Sequence, residues 1–301
     1  MAVTMQDEEI LGYRLIKMLG AGRMNRLCIV EEKATCRQMT LSFFDLSRPS
    51  PGNSYREKFL YEMGRATMLA EQLVHKNILQ VYKAGQSGDD YFILAEYCEG
   101  GHLYDFLYKN GERLPIDTAT NIMLQVLDGL IYAHSTEATI QLNDEAVQVK
   151  GIVHLDINPG NIFLTGEGKE LTAKLANFGF QRASSRARFY DFESGPKPVP
   201  LLFFMPKQQI IDIRNEKPEL DVWATAAVYY FMLTGKYPKD FPPVKDAVDF
   251  ALKNAAVPIR ERNPDIPEKL AEVIDRALIE KPEIGVKSAA ELKGLIEEYG
   301  E

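Results

Sequence analysis

Three short segments carry side chains able to do chemistry. In "VHLDINPGNIFL" the carboxylate Asp156 is followed by two amides, Asn158 and Asn161. In "KLANFGFQRA" a further amide, Asn177, stands just before Phe178 and Gly179. A carboxylate can take a proton from a hydroxyl, and an amide oxygen can ligate a hard cation, but the amide brings no charge to it. The third segment is "LGAGRMN". Gly20 and Gly22 allow the backbone to approach a phosphate closely. Asn25 tolerates left-handed backbone better than most residues but adds a side chain. The same turn reads equally well as a hairpin tip that touches no ligand.

The elements that must position these residues follow from the patterning. "YRLIKMLGAG" and "RLCIVEEKATCRQMTLSFFDL" read as strands. "NSYREKFLYEMGRATMLAEQLV" places Phe59, Leu60, Met63, Ala66 and Leu69 near helical spacing, with Ser54 and Glu57 as a capping box. "NILQVYKAG" and "YFILAEY" read as two more strands joined by "QSGDD". From "HLYDFLYKNG" onward the pattern is helical, through "PIDTATNIMLQVLDGLIYAHS", "PELDVWATAAVYYFMLTG", "AVDFALKNA", "PEKLAEVIDRALIE" and "KSAAELKGLIEEY". A sheet-rich first third and a helical remainder predict an α+β chain with two lobes.

Bulk properties narrow the class. The chain has 301 residues, 46% of them hydrophobic and 26% charged, with a net charge of −8. That is ordinary globular composition, with no basic block to suggest a nucleic-acid partner. Cys28, Cys36 and Cys98 lack metal-ligand spacing and read as free thiols of a reducing compartment, so a cytoplasmic location is expected. The start lacks a secretory signal pattern, and the apolar run "ATAAVYYFML" is far shorter than the ~20 residues of a membrane span.

In order and spacing, the Gly-rich turn, the helix, "AEYCEGGHL", "VHLDINPGNIFL", "NFG" and "LDVWATAAVYYFMLTG" resemble the eukaryotic-like protein kinase family, in the style of its bacterial serine/threonine members. The resemblance spans roughly residues 10–298. It implies a bilobal fold: a tail over 1–9, a β-rich N-lobe with one main helix over 10–95, a hinge over 96–98 and a mostly helical C-lobe over 99–301.

The resemblance also implies roles, and several of those positions hold the wrong residue. Gly20 and Gly22 would cover the phosphates. Leu27, Thr40, Ala95 and Phe163 would line the adenine slot, and Glu96 and Cys98 would offer hinge backbone. Thr40 stands where the family prefers alanine, and Phe163 is large for the floor. Ser42 occupies the position of the phosphate-binding lysine, while its partner on the helix is kept as Glu62. That leaves Glu62 as a solvated charge or paired to another base. Asp156 matches the catalytic base, and Asn161 and Asn177 match the two metal ligands, with Asn177 replacing an aspartate. Leu155 replaces the arginine that reads an activation-loop phosphate, and Asn158 replaces a lysine. Lys207 replaces a glutamate whose usual arginine partner falls near Gly285, so that ion pair reads as lost. His154, Phe178, Ala66 and Val81 match an apolar spine, and Asp221 matches the aspartate that braces the catalytic loop.

The expectation is a degenerate kinase, or pseudokinase. It would act by binding a protein partner (another kinase, a signalling protein or itself), and it would require no cofactor. Two alternatives stay open. One is a nucleotide-binding switch holding ATP with little or no magnesium dependence. The other is an active enzyme in which Arg23 or Arg26 replaces the lost lysine. One feature goes beyond the family pattern, an extra β-hairpin at 136–150 that reads as a decorated surface loop or as a docking ribbon for a partner. The apolar "VPLLFFM" reads as a second interface or as a segment tucked into the protein's own cleft.

Overall fold

A computed structural model describes residues 9–21, 25–46, 54–142, 145–180, 202–212, 215–240 and 247–300. Six antiparallel strands form the first lobe: β1 (Glu9–Ile10), β2 (Tyr13–Ala21), β3 (Asn25–Glu31), β4 (Gln38–Asp45), β5 (Val81–Ser87) and β6 (Asp90–Glu96), in the order β1-β2-β3-β4-β6-β5. Alternation along β4 sets its two faces. Met39, Leu41 and Phe43 are buried against Cys28, Val30, Phe92 and Leu94, while Thr40, Ser42 and Phe44 point to the opposite side.

Helix α1 (Ser54–Gln72) packs on that second side. Phe59, Met63, Ala66 and Ala70 recur at the three- and four-residue steps that align side chains on one helical face, and they are buried with Val81, Tyr91 and Ile93. Leu69, on the same helix, belongs instead to the core of the second lobe, so α1 contributes to both lobes. The side chain of Ser54 lies outside the described residues.

The second lobe holds α2 (Leu103–Lys109), α3 (Ile116–Ser135), α4 (Lys207–Ile211), α5 (Pro218–Thr234), α6 (Ala247–Lys253), α7 (Ile259–Arg262), α8 (Glu268–Ala277) and α9 (Ala289–Gly300). Helix α5 is apolar on every side and buried almost throughout, as befits the central helix of a bundle. Its end is set by Gly235 at φ 68°, a left-handed cap that glycine adopts without steric cost.

The expected hairpin is present: β7 (Glu137–Leu142) pairs with β8 (Glu145–Lys150). Ala138 and Ile140 are buried in the main core, and Gln72 of α1 donates through Nε2 to the carbonyl of Thr139 (3.1 Å). The hairpin therefore packs into the main core and is tied to α1, which a decorated surface loop would not be. Patterning missed the small two-stranded sheet of β9 (Ile162–Thr165) and β10 (Thr172–Leu175) and the short helices α4 and α7. Segments of four or five residues carry too little periodicity to register.

Candidate functional site

The loop between β8 and β9 is held from beneath by one buried carboxylate. Asp221, in the first turn of α5, has no exposed surface. It accepts the backbone N–H groups of His154 (2.8 Å) and Leu155 (2.7 Å) and lies 2.8 Å from His134 Nε2. Gln209 Nε2 donates to the carbonyl of Leu155 (2.7 Å), fixing that residue at φ 65°. Leu155 itself is buried in the main core, so an apolar side chain fills this place. The His154 ring packs on Phe178 with centroids 4.5 Å apart, and its Nε2 is 2.7 Å from the carbonyl of Ala176. Burial pushes its pKa below the usual histidine value, so the ring is neutral and donates to that carbonyl.

This framework presents Asp156, Asn158, Asn161 and Asn177 together. Asn158 Nδ2 donates to Asp156 Oδ1 (2.9 Å) and Asn161 Nδ2 to Asp156 Oδ2 (2.7 Å), so each carboxylate oxygen already has a donor. Asn158 Oδ1 also caps the following turn by accepting from the Gly160 N–H (2.9 Å). Asn177 Nδ2 in turn donates to Asn161 Oδ1 at 2.8 Å. The result is a continuous run of side-chain hydrogen bonds from Asn158 through Asp156 and Asn161 to Asn177. Asn177 sits at φ 68°, a conformation that Asn and Asp reach more easily than other side chains.

Do these residues fit a magnesium ion? The available oxygens belong to two neutral amides, and that of Asn161 is already taken by Asn177. Magnesium favours carboxylate and phosphate oxygens, and this donor set does not supply them. Among the described residues no cluster of three or more His, Cys, Asp or Glu side chains is arranged to hold a metal.

Burial pushes the pKa of Asp156 up to about 7 against the opposing hydrogen bonds from Asn161 and Asn158. A carboxyl that holds its proton more tightly folded than unfolded stabilises the fold fully below the unfolded value, near 4. That contribution is lost as pH rises through about 7. Measured against Asp156→Asn, which cannot ionise, the parent is therefore expected to lose about 1–2 kcal/mol of stability between about pH 4 and pH 8, allowing for the cleft on one side of the group. Denaturant midpoints across pH check this; a stability difference between the two that does not change with pH would contradict it.

Above the loop lies a cleft of about 860 Å³ that collects most of the positions expected from the sequence, including Leu27, Thr40, Ser42, Ala95, Glu96, Cys98, Phe163, Asp156, Asn161 and Asn177. Gly20 pairs with Leu27 at the end of β2, and Gly22 lies outside the described residues. The Thr40 hydroxyl donates to the hinge carbonyls of Ala95 (3.3 Å) and Glu96 (3.2 Å), so it both fills space and engages backbone that a base would need. Burial pushes the Cys98 thiol up to about 12, with the Glu96 carboxylate adding to the shift, which makes it an inert packing group.

Behind Ser42, where an ion pair would sit, the wall is aromatic. Phe44 lies 6.3 Å from Phe59 and 6.2 Å from Phe180. Glu62 is not the solvated charge allowed for above. It is 7% exposed and lines a separate cavity of about 180 Å³ with Arg65, Lys150, Leu155, Phe178 and Glu216.

One further alternative is corrected. Arg26 does not replace the missing lysine. It alternates with Leu27 onto the far face of the sheet, pairs with Asp90 and lies over the Phe43 ring. Arg23 lies outside the described residues. At Lys207 the expected pair with position 285 is absent, since Gly285 has no side chain, but a different ion pair takes its place. Lys207 is buried and pairs with Glu280 (3.5 Å), which also receives the buried Lys239 (2.8 Å). Gly285 is fixed by crowding: a Cβ there would meet the carbonyl oxygen of Arg276 at 2.2 Å. The described part of "VPLLFFM" turns inward. Leu202, Phe204 and Met205 are buried, and Phe203 stacks on Tyr237 at 3.8 Å.

A protein kinase domain model matches residues 13–286. The chain belongs to the protein kinase domain family. This kinase domain is 28% identical over 275 residues to the serine/threonine-protein kinase PrkC of Bacillus subtilis, a match covering 90% of the chain and 38% of PrkC. It is 29% identical over 241 residues to a probable serine/threonine-protein kinase of Clostridium acetobutylicum, covering 78% of the chain and 33% of that protein. The chain thus spans well under half the length of these relatives. The crystal structure of the Mycobacterium tuberculosis PknI kinase domain superposes with a TM-score of 0.67 at 21% identity, over 99% of both chains. The bilobal α+β kinase fold is established by these matches. No described helix is long and apolar enough to cross a membrane.

Proposed function

We propose that this kinase domain is a pseudokinase that works as a protein-binding scaffold or allosteric regulator, with another kinase, a signalling protein or a second copy of itself as partner. The observation that carries this reading is the hydrogen bond from Asn177 to Asn161, which joins the two metal-ligand positions to each other. Ser42 adds weight, because a short neutral side chain faces the phosphate region of the cleft. A missing charge pair near 4 Å is worth up to about 4 kcal/mol at an effective dielectric of about 20. If felt at the transition state, that is roughly a thousand-fold in rate.

The rest of the scaffold supports a maintained binding module. The brace at Asp221, the packing of His154 on Phe178 and the buried Lys207–Glu280–Lys239 group keep the loops ordered without any phosphate-handling charge. The free cysteines, two of them buried, suit a cytoplasmic setting.

The test is phosphoryl transfer from radiolabelled ATP to myelin basic protein with magnesium or manganese. The expected result is incorporation indistinguishable from that of Asp156→Ala. Metal-dependent transfer that Asp156→Ala abolishes would replace this reading with that of an active serine/threonine kinase.

A further inference from the structure

The inserted hairpin is a sheet of two strands only, β7 and β8, so each strand has an outer edge. Parity fixes which backbone groups point outward. Gly151 donates its N–H to the carbonyl of Thr136 (2.9 Å) at the base of the hairpin. The opposed pairs Ala138 and Val149, Ile140 and Val147, and Leu142 and Glu145 therefore exchange the ladder hydrogen bonds. The alternate residues turn their N–H and C=O groups away from the ladder. On β7 one of these, Thr139, gives its carbonyl to Gln72 of α1. On β8 they are Ala146, Gln148 and Lys150, all exposed, and among the described residues nothing bonds to their outward backbone groups.

An open edge pairs with other strands unless proline, a bulge or charge along it prevents that. Strand β8 has no proline, and its register with β7 runs without a bulge. Its charges, Glu145 and Lys150, stand at its two ends, and the residues Ala146 to Val149 between them are uncharged.

The strand is also complementary to itself. A two-fold axis at Gln148 sets two antiparallel copies with Gln148 opposite Gln148, Val147 opposite Val149 and Ala146 opposite Lys150. This register turns the outward groups of Ala146, Gln148 and Lys150 toward one another, for about six N–H···O bonds. It also keeps the faces matched. Val147 and Val149, which pack against the main core, meet valines of the second copy on that side. The Gln148 amides meet each other on the solvent side. Each Lys150 lies beside an alanine, so no like charges are opposed.

We propose that β8 is a self-association strand: two copies of this chain join their hairpins edge to edge into one continuous antiparallel sheet. An extended peptide from another protein would find the same open edge, but the uncharged middle and the self-matching register favour a second copy. The inference deepens the scaffold reading by naming its surface and its partner. Six residues a side make a small interface, so association is weak and reversible.

Sedimentation velocity of the full chain, from about 2 to about 200 µM, should show a monomer–dimer equilibrium with a Kd on the order of tens of micromolar. Gln148→Glu and Gln148→Lys should each weaken it at least tenfold, because like charges then meet on the axis. An equimolar mixture of the two variants should regain association at least as strong as the parent's. Gln148→Pro should abolish the dimer with the circular dichroism unchanged, since the N–H it removes lies off the β7 ladder. A parent that stays monomeric throughout the range, a dimer indifferent to the Gln148 variants, or a mixture that regains nothing would overturn the proposal. None of these outcomes bears on the phosphoryl-transfer assay, which tests the pseudokinase reading separately.

Discussion

Glu280→Gln is expected to lower folding stability by about 3–5 kcal/mol, the cost of stranding buried charge. Glu280 is 5% exposed and serves two buried ammonium groups. Its Oε1 accepts from Lys239 Nζ (2.8 Å) and from the Lys207 N–H (2.9 Å), and its Oε2 lies 3.5 Å from Lys207 Nζ. Lys239 is 1% exposed, and among the described residues it also meets the carbonyl of Ala251 (3.3 Å) and the Trp223 ring, 5.0 Å away. Burial already pulls the Lys239 pKa below its ordinary value against the pull of Glu280, so without the carboxylate the ammonium would have to lose its proton or its place. Lys207→Met should cost far less, because it removes the longer contact and leaves Glu280 with Lys239. Urea denaturation of the two variants separates the cases. A Glu280→Gln variant within about 1 kcal/mol of the parent would show that the group is solvated and contributes little.

Asn177→Asp should destabilise the domain by about 2–3 kcal/mol without magnesium, and magnesium should recover much of the loss. The substitution restores the residue that the family uses, and backbone strain does not change, since Asp tolerates φ near 68° about as well as Asn does. What changes is the side-chain chain of bonds. The Nδ2 donor to Asn161 Oδ1 is replaced by a carboxylate oxygen, so two acceptors face each other at about the 2.8 Å of the present bond. A second anion also comes close to Asp156, which Asn161 links to Asn177. A divalent cation relieves both problems. The parent, whose amides satisfy one another, should show no thermal shift with magnesium. An equal shift in parent and variant would mean that the neutral amides hold the ion after all.

The sequence determined the family and its layout because order and spacing of motifs survive in one dimension. The glycine turn, "HLDINPGN", "NFG" and "LDVWATAAVYYFMLTG" could be placed on their elements, and the absence of charge at Ser42, Asn158 and Asn177 is simply composition. The hairpin at Glu137–Lys150 was legible from its alternation. What tertiary structure decided were the side-chain partnerships between distant residues. Lys207 and Glu280 are 73 positions apart, and no local pattern pairs them. The facing of Arg26 depends on strand register, which puts Leu27 in the cleft and Arg26 outside it. Glu62 is buried, in a cavity wall shared with Val149, Leu155 and Phe178, residues that only folding brings to α1. Residue type limits which groups could meet. Whether a charge finds water or a partner is settled by packing, and packing is a property of the folded chain.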